Sequence, residues 1–123
     1  MDPRREWVSH RLFREKCIQT ESGGVYIKDL RVIDRVMSEM VLVDNASYSF
    51  GFQIDSGIPI IPFYDSKEDT ELKSLARYLR GMAQSDDVRE MNKNHFLFRK
   101  IIESKSAQDA FEKVFVEKQG RGE

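Results

Sequence analysis

Four consecutive apolar residues, Met40-Val41-Leu42-Val43, run straight into Asp44-Asn45, and no other short segment restricts the possible folds as much. A run of this kind has no polar face to turn towards water. It predicts a central strand of a parallel sheet, covered on both faces and delivering polar residues at its carboxyl end. In open α/β sheets ligands bind in the crevice beyond those carboxyl ends. Asp44 and Asn45 are therefore candidate site residues from position alone.

The flanking segments fit an α/β layer. Ile58-Pro59-Ile60-Ile61-Pro62-Phe63 predicts a second apolar strand, and its two prolines, each lacking a ladder donor, place it at an edge. Val25-Tyr26-Ile27 reads as a strand ending at Lys28, and Asp29 can cap a helix in which Leu30, Ile33, Val36 and Met37 recur at helical spacing. Upstream, Arg11 to Gln19 alternates imperfectly, as in a short strand stopped by Ser22-Gly23-Gly24, while Asp2-Pro3 looks like a helix start. Downstream, Asp65 to Glu68 supplies cap chemistry for a helix whose Leu72, Leu75, Leu79 and Met82 share one face. Asp86-Asp87 is expected to cap a further helix. The order strand, helix, strand, helix implies right-handed crossovers. From Asn92 the pattern changes: Phe96, Leu97, Ile101 and Ile102, then Ala107, Ala110, Phe111, Val114 and Phe115, predict one or two amphipathic helices before a frayed 119–123 end.

Composition narrows the function classes. With 123 residues, 40% apolar and 33% charged, the chain fits one compact domain. No apolar run approaches the roughly 20 residues of a membrane span, and the opening residues are charged rather than signal-like, so a nuclear or cytoplasmic setting is expected. A formal net charge of −1, with basic and acidic residues interleaved, offers no field to recruit nucleic acid. One cysteine, Cys17, cannot form an internal disulfide and reads as a buried strand residue. His10 and His95 lie far apart, which argues against a zinc cluster and for surface or packing roles. Trp7 suits an anchor on the domain surface.

Lys28 and the Asp44-Asn45 pair carry the candidate chemistry. A lysine at a strand end can hold an anion, and a carboxylate there can hold a hard cation. Spacing alone leaves a second reading open, in which each polar residue merely caps the next helix.

Several motifs in register add a resemblance. Arg11-Leu12-Phe13-Arg14-Glu15, Tyr26-Ile27-Lys28-Asp29-Leu30, Val43-Asp44-Asn45-Ala46-Ser47, Phe50-Gly51-Phe52-Gln53, Gly57-Ile58-Pro59-Ile60, Asp69-Thr70-Glu71-Leu72 and Asp86-Asp87-Val88-Arg89 occur in one order. From Asp2 to Phe96 this series resembles the small C-terminal-domain phosphatases, also called nuclear-LIM-interactor-interacting-factor-like phosphatases, of the haloacid dehalogenase superfamily. The resemblance implies a partial haloacid-dehalogenase-like parallel sheet, with residues 1–94 as the C-terminal half of a phosphatase homology domain and 95–123 as a helical extension. It implies a magnesium-dependent phosphoserine/phosphothreonine protein phosphatase in which Lys28 contacts the transferred phosphoryl group. Asp44 would belong to the magnesium site, and Asn45 would orient the cation's ligands or waters. The family's link to the RNA polymerase II C-terminal domain is a further implication.

The same resemblance exposes a gap. The family's nucleophile and general acid lie in an Asp-x-Asp-x-Thr motif, and no two aspartates in this chain are separated by a single residue. The Thr or Ser phosphate motif, and the insertion that sets phosphosite preference, would also fall before Met1. In the family fold the nucleophile strand lies beside the strand matched by Met40 to Asp44, so an apolar edge is expected to stand unpaired here and invite another chain. Three readings follow: a phosphatase part that is inactive alone, either truncated or supplied with its other half in trans, with self-association through the exposed edge open to it; a non-catalytic binding module using the amphipathic tail; and a likeness to the mitochondrial import relatives of the fold. The Asp44-Asn45 pair and Phe-Gly-Phe-Gln favour the phosphatases, and an Arg- and Ser-rich, acid-poor transit-like start is absent.

Overall fold

The computed structural model describes residues 2–21 and 23–99, so the amphipathic pattern expected over 100–123 lies outside the described residues. Four short strands and two helices appear in the order β1 (Ile18–Gln19), β2 (Tyr26–Ile27), β3 (Leu42–Asp44), β4 (Gly57–Pro59), α1 (Glu71–Met82) and α2 (Val88–Phe96). The molecule is a mixed α/β structure built on two separate two-stranded sheets, β1 with β2 and β3 with β4.

β1 and β2 form an antiparallel hairpin with Ile18 opposite Ile27. Its reversal needs Gly23, whose φ of 74° lies where a Cβ is disfavoured. The expected strand over Arg11 to Gln19 shrinks because Arg14–Lys16 winds into a single 3-10 turn. Cys17, which follows that turn, is half-buried rather than buried. Near the start, Asp2 accepts from the backbone N–H groups of Glu6 and Val8 at 2.9 and 3.0 Å, so it caps a turn rather than a helix.

The parallel pair is the centre of the fold. Leu42 faces Gly57, Val43 faces Ile58 and Asp44 faces Pro59, and Ile60 N–H extends the contact by donating to the Asp44 carbonyl at 3.2 Å. β3 is half-buried along its length, and among the described residues its only ladder partner is β4. The second apolar segment pairs over Gly57 to Pro59 alone; beyond it Ile61 and Phe63 are each 66% exposed, as expected where prolines interrupt the ladder.

The helix expected after Asp29 is broken. Asp29 accepts from Arg31 N–H at 3.0 Å and starts a 3-10 turn over Leu30–Ile33, but Asp34 then adopts a left-handed conformation. A short polar side chain tolerates that region, and a second 3-10 turn resumes over Met37–Glu39. α1 starts beyond the Asp65 to Glu68 stretch expected to cap it, with Thr70 at its N-cap making no side-chain bond, whereas α2 is capped by Asp87 as expected. Asp69 Oδ1 accepts from Glu71 N–H at 2.9 Å, and Asp87 Oδ1 accepts from Arg89 N–H at 2.9 Å. Leu75 and Leu79 are half-buried and Met82 is buried, whereas Leu72, one turn outside the packed region, stays 71% exposed. Tyr78 ties the helices together by donating to Asn92 Oδ1 at 3.0 Å. α2 stops at Leu97, a non-glycine residue with φ of 57°. That conformation costs roughly 1–2 kcal/mol, and burying the leucine side chain returns a comparable amount.

Among the described residues the buried apolar ones are Leu30, Met40, Phe50, Ile58, Met82 and Leu97, against fourteen large apolar residues that are more than 40% exposed. The core they form is small for the apolar content of the described residues. Among the described residues no helix is long and apolar enough to cross a membrane.

Phe50, 1% exposed, lies directly over Gly57, where any Cβ would overlap its ring. Gly57→Ala should therefore destabilise the protein by about 1–3 kcal/mol in urea unfolding, as overpacking generally does. Gly24→Ala, which meets nothing within 4 Å, should stay within about 0.5 kcal/mol of wild type.

Candidate functional site

Lys28 stands directly after β2 and Asp44 ends β3, so two different sheets deliver the pair from positions 16 apart in the chain. Lys28 Nζ lies 2.6 Å from Asp44 Oδ2, a charge-assisted hydrogen bond. The carboxylate is fixed at its other oxygen by Ala46 N–H, which donates to Oδ1 at 2.8 Å. Its side chain is 10% exposed and the Lys28 side chain 46%. The solvent-facing member of the pair is thus the ammonium. An ammonium has three donors, so the one given to Asp44 leaves two for a further anion.

Burial alone would raise the Asp44 carboxyl. The hydrogen bond from Lys28, the Ala46 N–H and the Ser49 hydroxyl outweigh it and hold the group below the ordinary aspartate range.

The backbone of Lys28 is held as firmly as its side chain. Its N–H donates to the Ser49 carbonyl at 2.8 Å, its carbonyl accepts from Gln53 Nε2, and Leu30 N–H donates to Gln53 Oε1 at 3.2 Å. All of these partners come from the segment linking β3 to β4. Its turns Ser47–Phe50 and Ile54–Ser56 carry Ser49, Phe50 and Ser56 into the interior. Beside Lys28 a hollow of about 130 Å³ is walled by the apolar Leu12, Phe13, Leu30, Val32 and Leu42 together with the charged Lys16 and Asp29.

Of the residues singled out from sequence, the structure brings Lys28 and Asp44 into contact and leaves Asn45 exposed beside Asp44. His95 is exposed and packs its ring 5.0 Å from Tyr78 and 4.7 Å from Phe96, and His10 is exposed. Trp7 is 83% exposed. Ser49 and Gln53 went unassigned in the sequence, because their partners lie far along the chain; only the placement of Gln53 inside a recognisable block hinted at it.

Magnesium was tested against these donors. The cation prefers about six oxygens at close range. Asp44 is one carboxylate with Oδ2 committed to Lys28 and Oδ1 to a backbone N–H, and among the described residues no cluster of three or more His, Cys, Asp or Glu could hold a metal. The residues present do not by themselves fit a magnesium ion.

The depressed Asp44 carboxyl fixes the sign of a pH effect. A carboxyl lowered on folding contributes stability above its unfolded value, near 3.8, and loses that contribution as pH falls through the lower folded value. In chelator-containing buffer, wild type should lose more stability than Asp44→Asn as pH is lowered from about 5 to about 2, read by denaturant midpoints at each pH. Parallel curves would show that the pair adds nothing.

Comparison with known proteins places this geometry in a family. Residues 1–89 match the NLI interacting factor-like phosphatases. Over 103 residues, 83% of the chain, it is 39% identical to "CTD small phosphatase-like protein 3" of Caenorhabditis elegans, covering 35% of that protein. Over 102 residues, again 83% of the chain, it is 35% identical to "CTD small phosphatase-like protein 2" of Dictyostelium discoideum, covering 18% of it. It is also 34% identical over 103 residues, 82% of the chain, to "Mitochondrial import inner membrane translocase subunit TIM50" of Candida glabrata, covering 21% of that protein. The chain thus spans about a third or less of the curated relatives it matches. With residues 1–89 matched and the Lys28–Asp44 pair assembled from the motifs that carry the likeness, the chain belongs to the NLI interacting factor-like phosphatase family.

Proposed function

We propose that the chain forms part of a phosphoserine/phosphothreonine protein phosphatase, in which Lys28 holds the phosphoryl group while the attacking aspartate comes from residues outside these 123. The 2.6 Å Lys28–Asp44 pair carries this reading. An ammonium held by one carboxylate and half-exposed beside a hollow is set to bind a second anion, and phosphate is the anion the family name specifies. Covalent phosphoryl transfer also needs a positioned nucleophile, and the chain contains no Asp-x-Asp pair to supply one. On this reading the chain alone is inactive.

The assembled domain would be a haloacid-dehalogenase-like parallel sheet, with residues 1–94 as its C-terminal half and 95–123 as a helical extension. The strand bearing the aspartates would lie along the edge of β3 away from β4, the edge without a ladder partner among the described residues. Exposed Leu12, Phe13 and Val32 support this, since they surround the hollow beside Lys28 and would be covered. Further carboxylates from the same source would be required before Asp44 and Asn45 could share a magnesium ion. The partners of this reading are a phosphoprotein substrate and a complementary half-domain, with a second copy of the chain as the alternative occupant of the edge. A nuclear or cytoplasmic setting is part of the same proposal.

A second reading, a non-catalytic protein-binding module, is favoured by the large exposed apolar surface. The two readings separate in one experiment. The purified chain is assayed with magnesium and a phosphopeptide, alone and mixed with a polypeptide bearing the Asp-x-Asp-x-Thr strand. The phosphatase reading expects no turnover alone and turnover in the mixture, reduced about 100-fold or more by Lys28→Ala, in line with loss of a charge that stabilises the transition state. Capture of the added polypeptide without turnover, unchanged by Lys28→Ala, would establish the module instead; brisk turnover by the chain alone would overturn both.

A further inference from the structure

Lys28 and Asp44 must meet, yet the strands that deliver them lie in different sheets with no ladder running between them. The bridge is the segment linking β3 to β4, which grips Lys28 at its N–H through the Ser49 carbonyl and at its carbonyl through one side chain, Gln53. Gln53 Nε2 donates to the Lys28 carbonyl, and Gln53 Oε1 accepts from Leu30 N–H at 3.2 Å. One donor and one acceptor offered to the residues on either side of Asp29 reproduce what a peptide unit in a neighbouring parallel strand would offer. The carboxamide stands in for a missing strand. On the other side Lys28 N–H is held by the Ser49 carbonyl at 2.8 Å.

We propose that Gln53 is a positioning residue, which sets the backbone of Lys28 so that its ammonium reaches Asp44 and faces an incoming phosphoryl group. The proposal rests on the reading of Lys28 as the phosphate ligand. Gln53 itself is 8% exposed and acts on the main chain of residues 28 and 30, so it takes no direct part in the chemistry. Its effect comes through geometry, where a displacement of about 1 Å at a binding group is enough to lower activity about a hundredfold. Other contacts hold the linking segment in place independently. Phe50 is packed over Gly57, and the Arg31 guanidinium lies 5.4 Å from the centre of the Phe52 ring. Loss of the Gln53 carboxamide should therefore release Lys28 without unfolding the segment.

Two variants of the full chain test this. Gln53→Leu removes both hydrogen bonds at similar length. Gln53→Met keeps the unbranched length of the glutamine but offers neither the donor for the Lys28 carbonyl nor the acceptor for Leu30 N–H. The readout is the 15N signal of the Lys28 ε-ammonium, identified by its disappearance in Lys28→Arg, with inorganic phosphate as the added probe and circular dichroism as the check of folding. Wild type should give a distinct ammonium signal that phosphate shifts. In the folded variants that signal should merge with those of the solvated lysines, and the phosphate needed for a half-maximal shift should rise about fivefold, the effect of the one hydrogen bond lost to Lys28. If either folded variant keeps the wild-type ammonium signal, Gln53 does not position Lys28 and the proposal is overturned. Unfolding of both variants overturns it as well, because Gln53 would then serve the fold rather than the site. Should the variants lose the signal while phosphate leaves the wild-type signal unmoved, the positioning stands and the phosphate-ligand reading fails.

Discussion

The contact between the Phe50 ring and the bare backbone of Gly57 is the constraint on which the rest of this structure depends. It presses the segment after β3 down onto β4, and from that seat the same segment reaches out to three places at once. Ala46 N–H fixes the Asp44 carboxylate, the Ser49 carbonyl receives Lys28 N–H, and Gln53 closes around residues 28 to 30. A side chain at position 57 would lift the ring, and with it all three attachments. The site is thus organised by a stretch of turns rather than by the strands that name its residues, and the small core beneath it serves mainly to keep that stretch seated.

Electrostatics and packing meet at the lysine–aspartate pair. Burial alone would raise the Asp44 carboxyl, and the donors gathered around it outweigh that, keeping it charged and its pKa below the ordinary aspartate range. Lys28, the most exposed of those donors, consequently has two functions: it neutralises Asp44 and presents the rest of its hydrogen-bonding capacity outward. Among the described residues no cluster completes a metal site.

Sequence reasoning reached the parts of this architecture that depend on near neighbours. The apolar run ending in Asp44 does end as a parallel strand, and Asp87 does cap its helix, because periodicity and capping act over a few residues. Lys28 and Asp44 were each recognised at a strand end, and their motifs supplied the family. Their direct contact was not legible, since it depends on how two separate sheets are placed. Gln53 illustrates the limit most sharply: a glutamine in a loop looks like solvent-facing chain, and only a partner 25 residues away makes it a buried clasp. The helix expected after Asp29 failed for a different reason. Leu30, Ile33, Val36 and Met37 have helical spacing, but the left-handed Asp34 resets the phase between two single turns, and apolar periodicity does not register one such residue.

Among the described residues one edge of β3 has no ladder partner, and this edge, together with the exposed Leu12, Phe13 and Val32, bears on how such a polypeptide fares in a cell. Surfaces of this kind are what holdase chaperones and quality-control proteases recognise, and an open strand edge adds a template for self-assembly into aggregates. The amount of intact protein would then follow the supply of whatever shields that edge, falling when the shield is scarce even if synthesis is constant. Abundance, as much as chemistry, would be governed by a row of hydrogen-bonding groups waiting for a neighbour.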